Sequence, residues 1–162
     1  MTLSRRGLLA GGALLALPVA AQARERSDAD TLGELLALEN RLVTAYEAAL
    51  RRDVIDAGLG ELLRDQEREH VRGVQQALDE LGGGSPKASV PDAKLGRALR
   101  GRRAFSAYAL ELEKTTTAAY ANAASGIARV GLRQPLGSIL ACEAAHQVAL
   151  RAAMGDSLVG VE

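Results

Sequence analysis

Residues 67–74 read EREHVRGV and residues 143–150 read EAAHQVAL, and between them they hold both histidines of the chain. In each stretch a glutamate precedes the histidine by three residues. Leu63 and Val74 flank the first pair, and Ile139, Leu140 and Leu150 flank the second. Positions i and i+3 of a helix lie one turn apart on the same face, so Glu67 with His70, and Glu143 with His146, project side by side from stripes that are otherwise apolar.

Working outward, two further stretches match each other: ENRLVTAY at 39–46 and EKTTTAAY at 113–120, each a glutamate, six residues and a tyrosine. The chain is thus two helical hairpins of one pattern, each giving a lone Glu from its first helix and a Glu-x-x-His from its second. Periodicity at i, i+3, i+4 and i+7 predicts helix 1 over about 31–52, with Leu32, Leu35, Leu36, Glu39, Leu42, Val43, Tyr46, Ala49 and Leu50 on one face and Asp30 or Thr31 as its cap. Leu59, Leu63, Glu67, His70, Val74, Leu78 and Leu81 mark helix 2, which GGGSP ends. Helix 3 is expected from about Arg102 to Ile127, with Phe105, Ala109, Leu112 or Glu113, Thr116, Tyr120 and Ala123 inward. Helix 4 is expected from about Arg133 to Met154, with Leu136, Ile139, Leu140, Glu143, His146, Leu150 and Ala153 inward. Four amphipathic helices of this length make a bundle.

Burying one unpaired carboxylate costs at least several kcal/mol, so four facing a common core are untenable without compensating positive charge. No Lys or Arg interrupts these stripes, which points to a metal. The four helices also agree in height. The midpoint between Glu39 and the Glu67/His70 pair falls near residue 54, and that between Glu113 and the Glu143/His146 pair near residue 129, both inside predicted turns. The segment from Gly82 to about Arg100, with Pro86 and Pro91, has little periodicity. If helices 2 and 3 run parallel it must travel the length of the bundle, roughly 35–40 Å, which an extended chain of that many residues reaches.

Composition narrows the function classes. Ala, Leu, Glu and Arg dominate, with no Trp and one Phe, so the chain reads as all-α. Zero formal net charge and few aromatics leave neither a grip for a phosphate backbone nor stacking platforms for bases, so nucleic acid is not an expected partner. Cys142 is the single cysteine, which excludes an internal disulfide and a Cys-based zinc site. It is turned about 100° from Glu143 and reads as a small packed thiol. Glu47, Glu69 and Glu111 lie off the stripes and read as solvated; Arg100–Arg103 reads as a solvated helix start.

SRRGLLAGGALLALPVAAQA, residues 4–23, joins an Arg5–Arg6 pair to an apolar stretch too short to span a bilayer and an Ala-Gln-Ala end. It resembles a twin-arginine export signal, cut after Ala23; an ordinary secretory signal is the other reading. The resemblance implies passage through the twin-arginine translocon, after folding, to the periplasm or the exterior of the cell envelope. The expected organisation is a signal at 1–23, a polar linker at 24–30, the bundle at 31–154 and a tail at 155–162.

With Glu39, Glu67-x-x-His70, Glu113, Glu143-x-x-His146 and the two tyrosines, the chain resembles the ferritin-like family over about residues 31–154, and most nearly the exported bacterial ferritin-like domains. That resemblance implies a four-helix bundle of two antiparallel hairpins joined by a long crossover. It also implies two Fe or Mn ions, with Glu67 and Glu143 bridging and with Glu39/His70 and Glu113/His146 each completing one position. Mixed carboxylate and imidazole donors suit Fe or Mn better than Cu or Ca. Tyr46 and Tyr120 are either core aromatics bonded to a ligand carboxylate or redox participants. Thr116 can bond to a ligand, to a bound oxygen species or to its own helix backbone. Oxidation of Fe(II) by O2 or peroxide is the expected chemistry; the alternatives are a bundle that holds metal without redox catalysis and a metal-free helical partner protein. The pattern lacks a rubrerythrin-type second carboxylate, since Glu111 points away, and a Cys-rich iron centre. Self-association through the Ala-rich faces of helices 3 and 4 is open to it, but its short helices do not suit a 24-subunit cage.

Overall fold

The computed structural model describes residues 27–83 and 92–155. The expected export signal, most of the expected polar linker, the Pro86–Pro91 stretch and all of the expected tail except Gly155 lie outside the described residues. Among those described, no helix is long and apolar enough to cross a membrane.

Helix α1 spans Asp28–Arg51 and begins a turn earlier than its apolar periodicity predicts. The cap is Ser27 and not Asp30 or Thr31: its hydroxyl accepts from the Asp30 amide at 3.1 Å while the Asp30 carboxylate accepts from the Ser27 amide at 3.3 Å. This reciprocal arrangement satisfies two otherwise free donors and extends the helix backward. Asp28 in the same turn accepts from the backbone amides of Ala128 and Arg129 at 2.9 and 2.8 Å, fastening the start of α1 to the far hairpin's turn.

Helix α2 spans Ala57–Glu80, with Asp56 capping through Leu59 N at 2.9 Å. Val54 and Ile55 in the intervening turn are buried. A Cβ on Gly60 would lie 2.7–2.8 Å from Ile55 and Leu50, so glycine lets the turn close onto α2. Gly82, at φ +68°, ends the helix in the left-handed conformation that suits glycine.

The crossover contains a short helix, α3 (Ala93–Ala98), where the sequence suggested irregular chain. Six residues are too few for a convincing periodicity; packing selects the helix, with Ala98 buried and Leu95 and Leu99 lying against the core. Helix α4 spans Arg102–Gly126, and α5 spans Arg133–Met154 after a 3-10 turn at Val130–Leu132.

Helix α1 packs along α2 and α4 along α5, while α1 faces α4 and α2 faces α5. Tyr46 meets Glu113 and Tyr120 meets Glu39, so α1 and α4 run antiparallel; α2 and α4 are therefore parallel, and the crossover travels the length of the bundle. The result is the expected all-α bundle of two hairpins. Of the expected inward positions, Leu50, Leu59, Leu81, Ile139 and Leu140 are half-buried against the core, Val43 is half-buried, and Ala153 is exposed, each lying at an end or edge of its helix's inward stripe.

The core divides into two apolar clusters. One, around Leu42, Tyr46, Ile55, Leu63, Phe105 and Leu150, sits at the α1–α2 turn end. The other, around Leu32, Leu36, Val74, Leu78, Tyr120 and Leu136, sits at the opposite end. Between them lies a polar layer.

Candidate metal centre

That layer contains all six residues singled out by the repeat. Glu39, Glu67, Glu113 and Glu143 are fully buried, and His70 and His146 nearly so. Each is held by its place on an apolar helix stripe. Burial of the neighbouring leucines fixes the rotation of the helix, and that rotation carries the polar residue inward.

The imidazole Nδ1 atoms face the carboxylates. His70 Nδ1 lies 2.9 Å from Glu143 Oε1, 3.2 Å from Glu67 Oε2 and 3.6 Å from Glu39 Oε2. His146 Nδ1 lies 2.9 Å from Glu67 Oε1 and 3.5 Å from Glu113 Oε2. The two rings are stacked, centroids 5.9 Å apart. Most of these approaches lack hydrogen-bond alignment: Glu39 Oε2, Glu67 Oε1, Glu113 Oε2, both Glu143 oxygens and His146 Nδ1 are buried without a hydrogen-bond partner. So many orphaned acceptors at one level are rare in a folded interior, and they fit a group of donors waiting on a shared cation. Two four-residue sets meet that description: Glu39, Glu67, His70 and Glu143, and Glu67, Glu113, Glu143 and His146. Within each, one donor atom per residue lies within 4.8 Å of the others. Glu67 and Glu143 belong to both.

Electrostatics tell the same story. Burial pushes the Glu143 pKa up to about 10, with Glu113 and Glu67 adding to the rise against the pull of His70. Burial likewise lifts Glu39 to about 7. For Glu67 burial also pushes upward, but bonds with His146 and His70 outweigh it and bring the pKa down to about 2. Burial would lower His146, yet Glu113 and Glu67 hold it up at about 11, and His70 is raised further by Glu143, Glu39 and Glu67. Without a metal, then, protons on the histidines and on part of the carboxylates offset the buried negative charge.

Tyr46 donates its hydroxyl to Glu113 Oε1, and Tyr120 donates to Glu39 Oε1 at 2.5 Å. Each tyrosine reaches the lone glutamate of the other hairpin, a crossing not evident from the sequence. Burial first, and the nearby carboxylates second, push both phenols well above their ordinary pKa, so they stay protonated donors. Thr116 is buried and its hydroxyl makes no bond, to its own helix backbone or otherwise. Glu69 and Glu111 are exposed as expected, whereas Glu47 is half-buried beside Arg68 at 2.8 Å.

Sequence reasoning missed the residues behind the ligands. Gln66 Oε1 lies 3.0 Å from His146 Nε2, and Cys142 Sγ lies 3.3 Å from the same nitrogen. Cys142 therefore sits behind the imidazole, away from the carboxylates. Gln147 donates to Thr117 Oγ1 at 2.6 Å, and that hydroxyl donates to the Glu113 carbonyl at 2.7 Å. The only available signal for Gln66 and Cys142 was their i−4 spacing from the histidines.

A helical bundle whose two hairpins bury a layer of four carboxylates and two imidazoles defines a class, bundles with an interior compatible with metal ions. The ferritin-like domain family matches the chain over residues 27–156, and the chain belongs to it. No curated protein and no solved structure matches.

Proposed function

We propose that this ferritin-like domain holds two iron or manganese ions and oxidises Fe(II), with O2 or peroxide taking the electrons. Glu39 and His70 would hold one ion and Glu113 and His146 the other, with Glu67 and Glu143 shared. The observation that carries the reading is the pair of overlapping four-residue sets with those two glutamates in common. Bound iron or manganese supplies one-electron redox chemistry and Lewis acidity at the site.

The chain's own residues supply the rest. Tyr46 and Tyr120 orient the lone glutamates and leave one oxygen of each free toward the site. Four carboxylates against two neutral imidazoles match the charge of two divalent ions, so binding would release the protons that the metal-free cluster holds. Apolar layers on both sides limit water, which strengthens attraction between ligand and ion. The Arg5–Arg6 signal supports export by the twin-arginine route before the domain acts in the cell envelope.

Elemental analysis of the protein isolated from its own cell envelope tests the binding. Two ions of Fe or Mn per chain is the expected result, and protein free of metal refutes it. Oxygen or peroxide consumption on adding Fe(II) then tests the chemistry; its absence leaves a bundle that binds metal without redox turnover. Replacing Arg5 and Arg6 with lysine should hold the protein in the cytoplasm, and unchanged export would rule out the twin-arginine route.

A further inference from the structure

We propose that the two metal positions are unequal, and that Gln66 and Cys142 make the Glu113/His146 position the first to fill. This ordering rests on the metal-binding reading above. The residue four before each histidine is Gln66 on α2 and Cys142 on α5. One helical turn would let each serve the histidine of its own helix. Cys142 does so, but Gln66 reaches across from α2, and both meet the same atom, His146 Nε2. Among the described residues no hydrogen bond reaches His70 Nε2; its Nδ1 makes the ring's contacts.

The chemistry follows from the partner. An amide oxygen only accepts, so His146 Nε2 carries hydrogen and the lone pair in the neutral ring belongs to Nδ1, the atom facing Glu67 and Glu113. An acceptor behind an imidazole fixes its tautomer and rotation and raises its basicity as a ligand. His146 is thus held through Nε2 by groups that stay in place when an ion takes Nδ1, whereas the contacts that hold His70 all run through Nδ1, the atom the ion would take, so that ring gives up its fixing on binding, which costs affinity. Exposure points the same way: the His70 side chain is 10 % exposed and that of His146 3 %. The Gln147–Thr117–Glu113 carbonyl chain further steadies α4 against α5 beside Glu113, and the repeat counterparts of Gln147 and Thr117 are Val71 and Val43, which cannot make it. Gln66 is a positioning residue for the first ion, and the His70 side is where the second enters and exchanges.

The test is a titration of the chelator-stripped, full-length protein with Co(II), a redox-silent probe, followed by calorimetry and visible absorption. Wild type should take two ions in steps separated by about tenfold or more; His70→Ala should lose the weaker step and His146→Ala the tighter one. Gln66→Leu should weaken the tighter step about 10–100-fold, the usual effect of losing such a partner, and leave the weaker within about twofold. Gln66→Glu keeps an acceptor and should restore the tighter step. The Nε2–H signal of His146 in a proton–nitrogen spectrum should vanish in Gln66→Leu and persist in Gln66→Glu, with thermal melts confirming that both variants fold. Two equal steps in wild type, or a Gln66→Leu variant that weakens both steps alike or neither, overturns the ordering while the metal-binding reading stands. A wild-type chain that takes up no Co(II) overturns both.

Discussion

The two hairpins carry the same buried Glu and His residues in unlike company. Beside Glu39 and His70 the repeat places Leu42, Val43 and Val71; beside Glu113 and His146 the matching positions are Thr116, Thr117 and Gln147. The buried polar layer keeps a pseudo-twofold order, with each tyrosine crossing to the other hairpin's lone glutamate and each histidine 2.9 Å from the Glu-x-x-His glutamate of the other hairpin. The repeat thus keeps the six Glu and His residues and the two tyrosines, while the residues beside them differ. One end of the layer therefore has polar side chains beside it where the other has apolar ones.

Removing what both halves share breaks the comparison most completely. Glu67→Ala combined with Glu143→Ala is expected to leave close to no bound metal. Two ions at about a hundred times their Kd stabilise by about 2.7 kcal/mol each, so the variant should also lose a metal-dependent rise in Tm on the order of 15 °C. Elemental analysis and melts with and without chelator read both effects. A double variant that keeps its metal and its Tm response sinks the shared-carboxylate arrangement.

The tyrosines test whether the ligand layer is as symmetric as its geometry. Tyr46→Phe and Tyr120→Phe each remove a donor to a buried carboxylate and should each cost about 1.5–3 kcal/mol in urea unfolding. Phe105 packs edge-on against Tyr46, centroids 6.0 Å apart, and this contact survives the loss of a hydroxyl. The two costs should therefore agree within about 1 kcal/mol; a wider gap would place asymmetry inside the ligand layer as well as behind it.

Thr116→Val makes the second hairpin more like the first, where the matching residue is Leu42. Because the Thr116 hydroxyl is buried without a partner, the isosteric change should raise metal-free stability by about 1–2 kcal/mol. Denaturation in the presence of chelator is the measurement. A loss of stability instead would mean that the hydroxyl is satisfied in solution.

The bundle and the ligand layer were legible because both rest on period and spacing along one helix. Leu32, Leu36, Glu39 and Leu42 mark a face by themselves, and the height of Glu39 against Glu67 follows from the position of the turn. Contacts between helices were not legible. That Tyr46 serves Glu113, or that Gln66 leaves His70 for His146, depends on which helix lies opposite and at what angle. Local signals too weak to stand alone were also lost: the Ser27–Asp30 capping box sat before the apolar pattern began, and α3 offers only Leu95, Ala98 and Leu99 as a face.

An effect of similar size concerns a tie without a counterpart in the repeat, at the crossover between the hairpins. Asp92 caps α3 through Lys94 N at 2.8 Å and also accepts from Tyr108 on α4 at 2.8 Å and Arg41 on α1 at 2.9 Å. These partners, the Lys94 amide first and the Tyr108 hydroxyl next, with Arg41 adding less, hold the carboxyl below its ordinary value of 3.8. Arg41 is partly exposed, so the ion pair contributes little and the cap and the tyrosine contribute most. Asp92→Ala should cost about 1–2 kcal/mol at pH 7. A carboxyl whose folded pKa lies below its unfolded one stabilises above the unfolded value and loses that contribution as pH falls through the folded value. The gap between wild type and Asp92→Ala in urea unfolding should thus be constant from pH 7 to about 5 and shrink below about 4. A gap that stays unchanged down to about pH 3 would assign the effect to packing around α3 and not to the carboxylate.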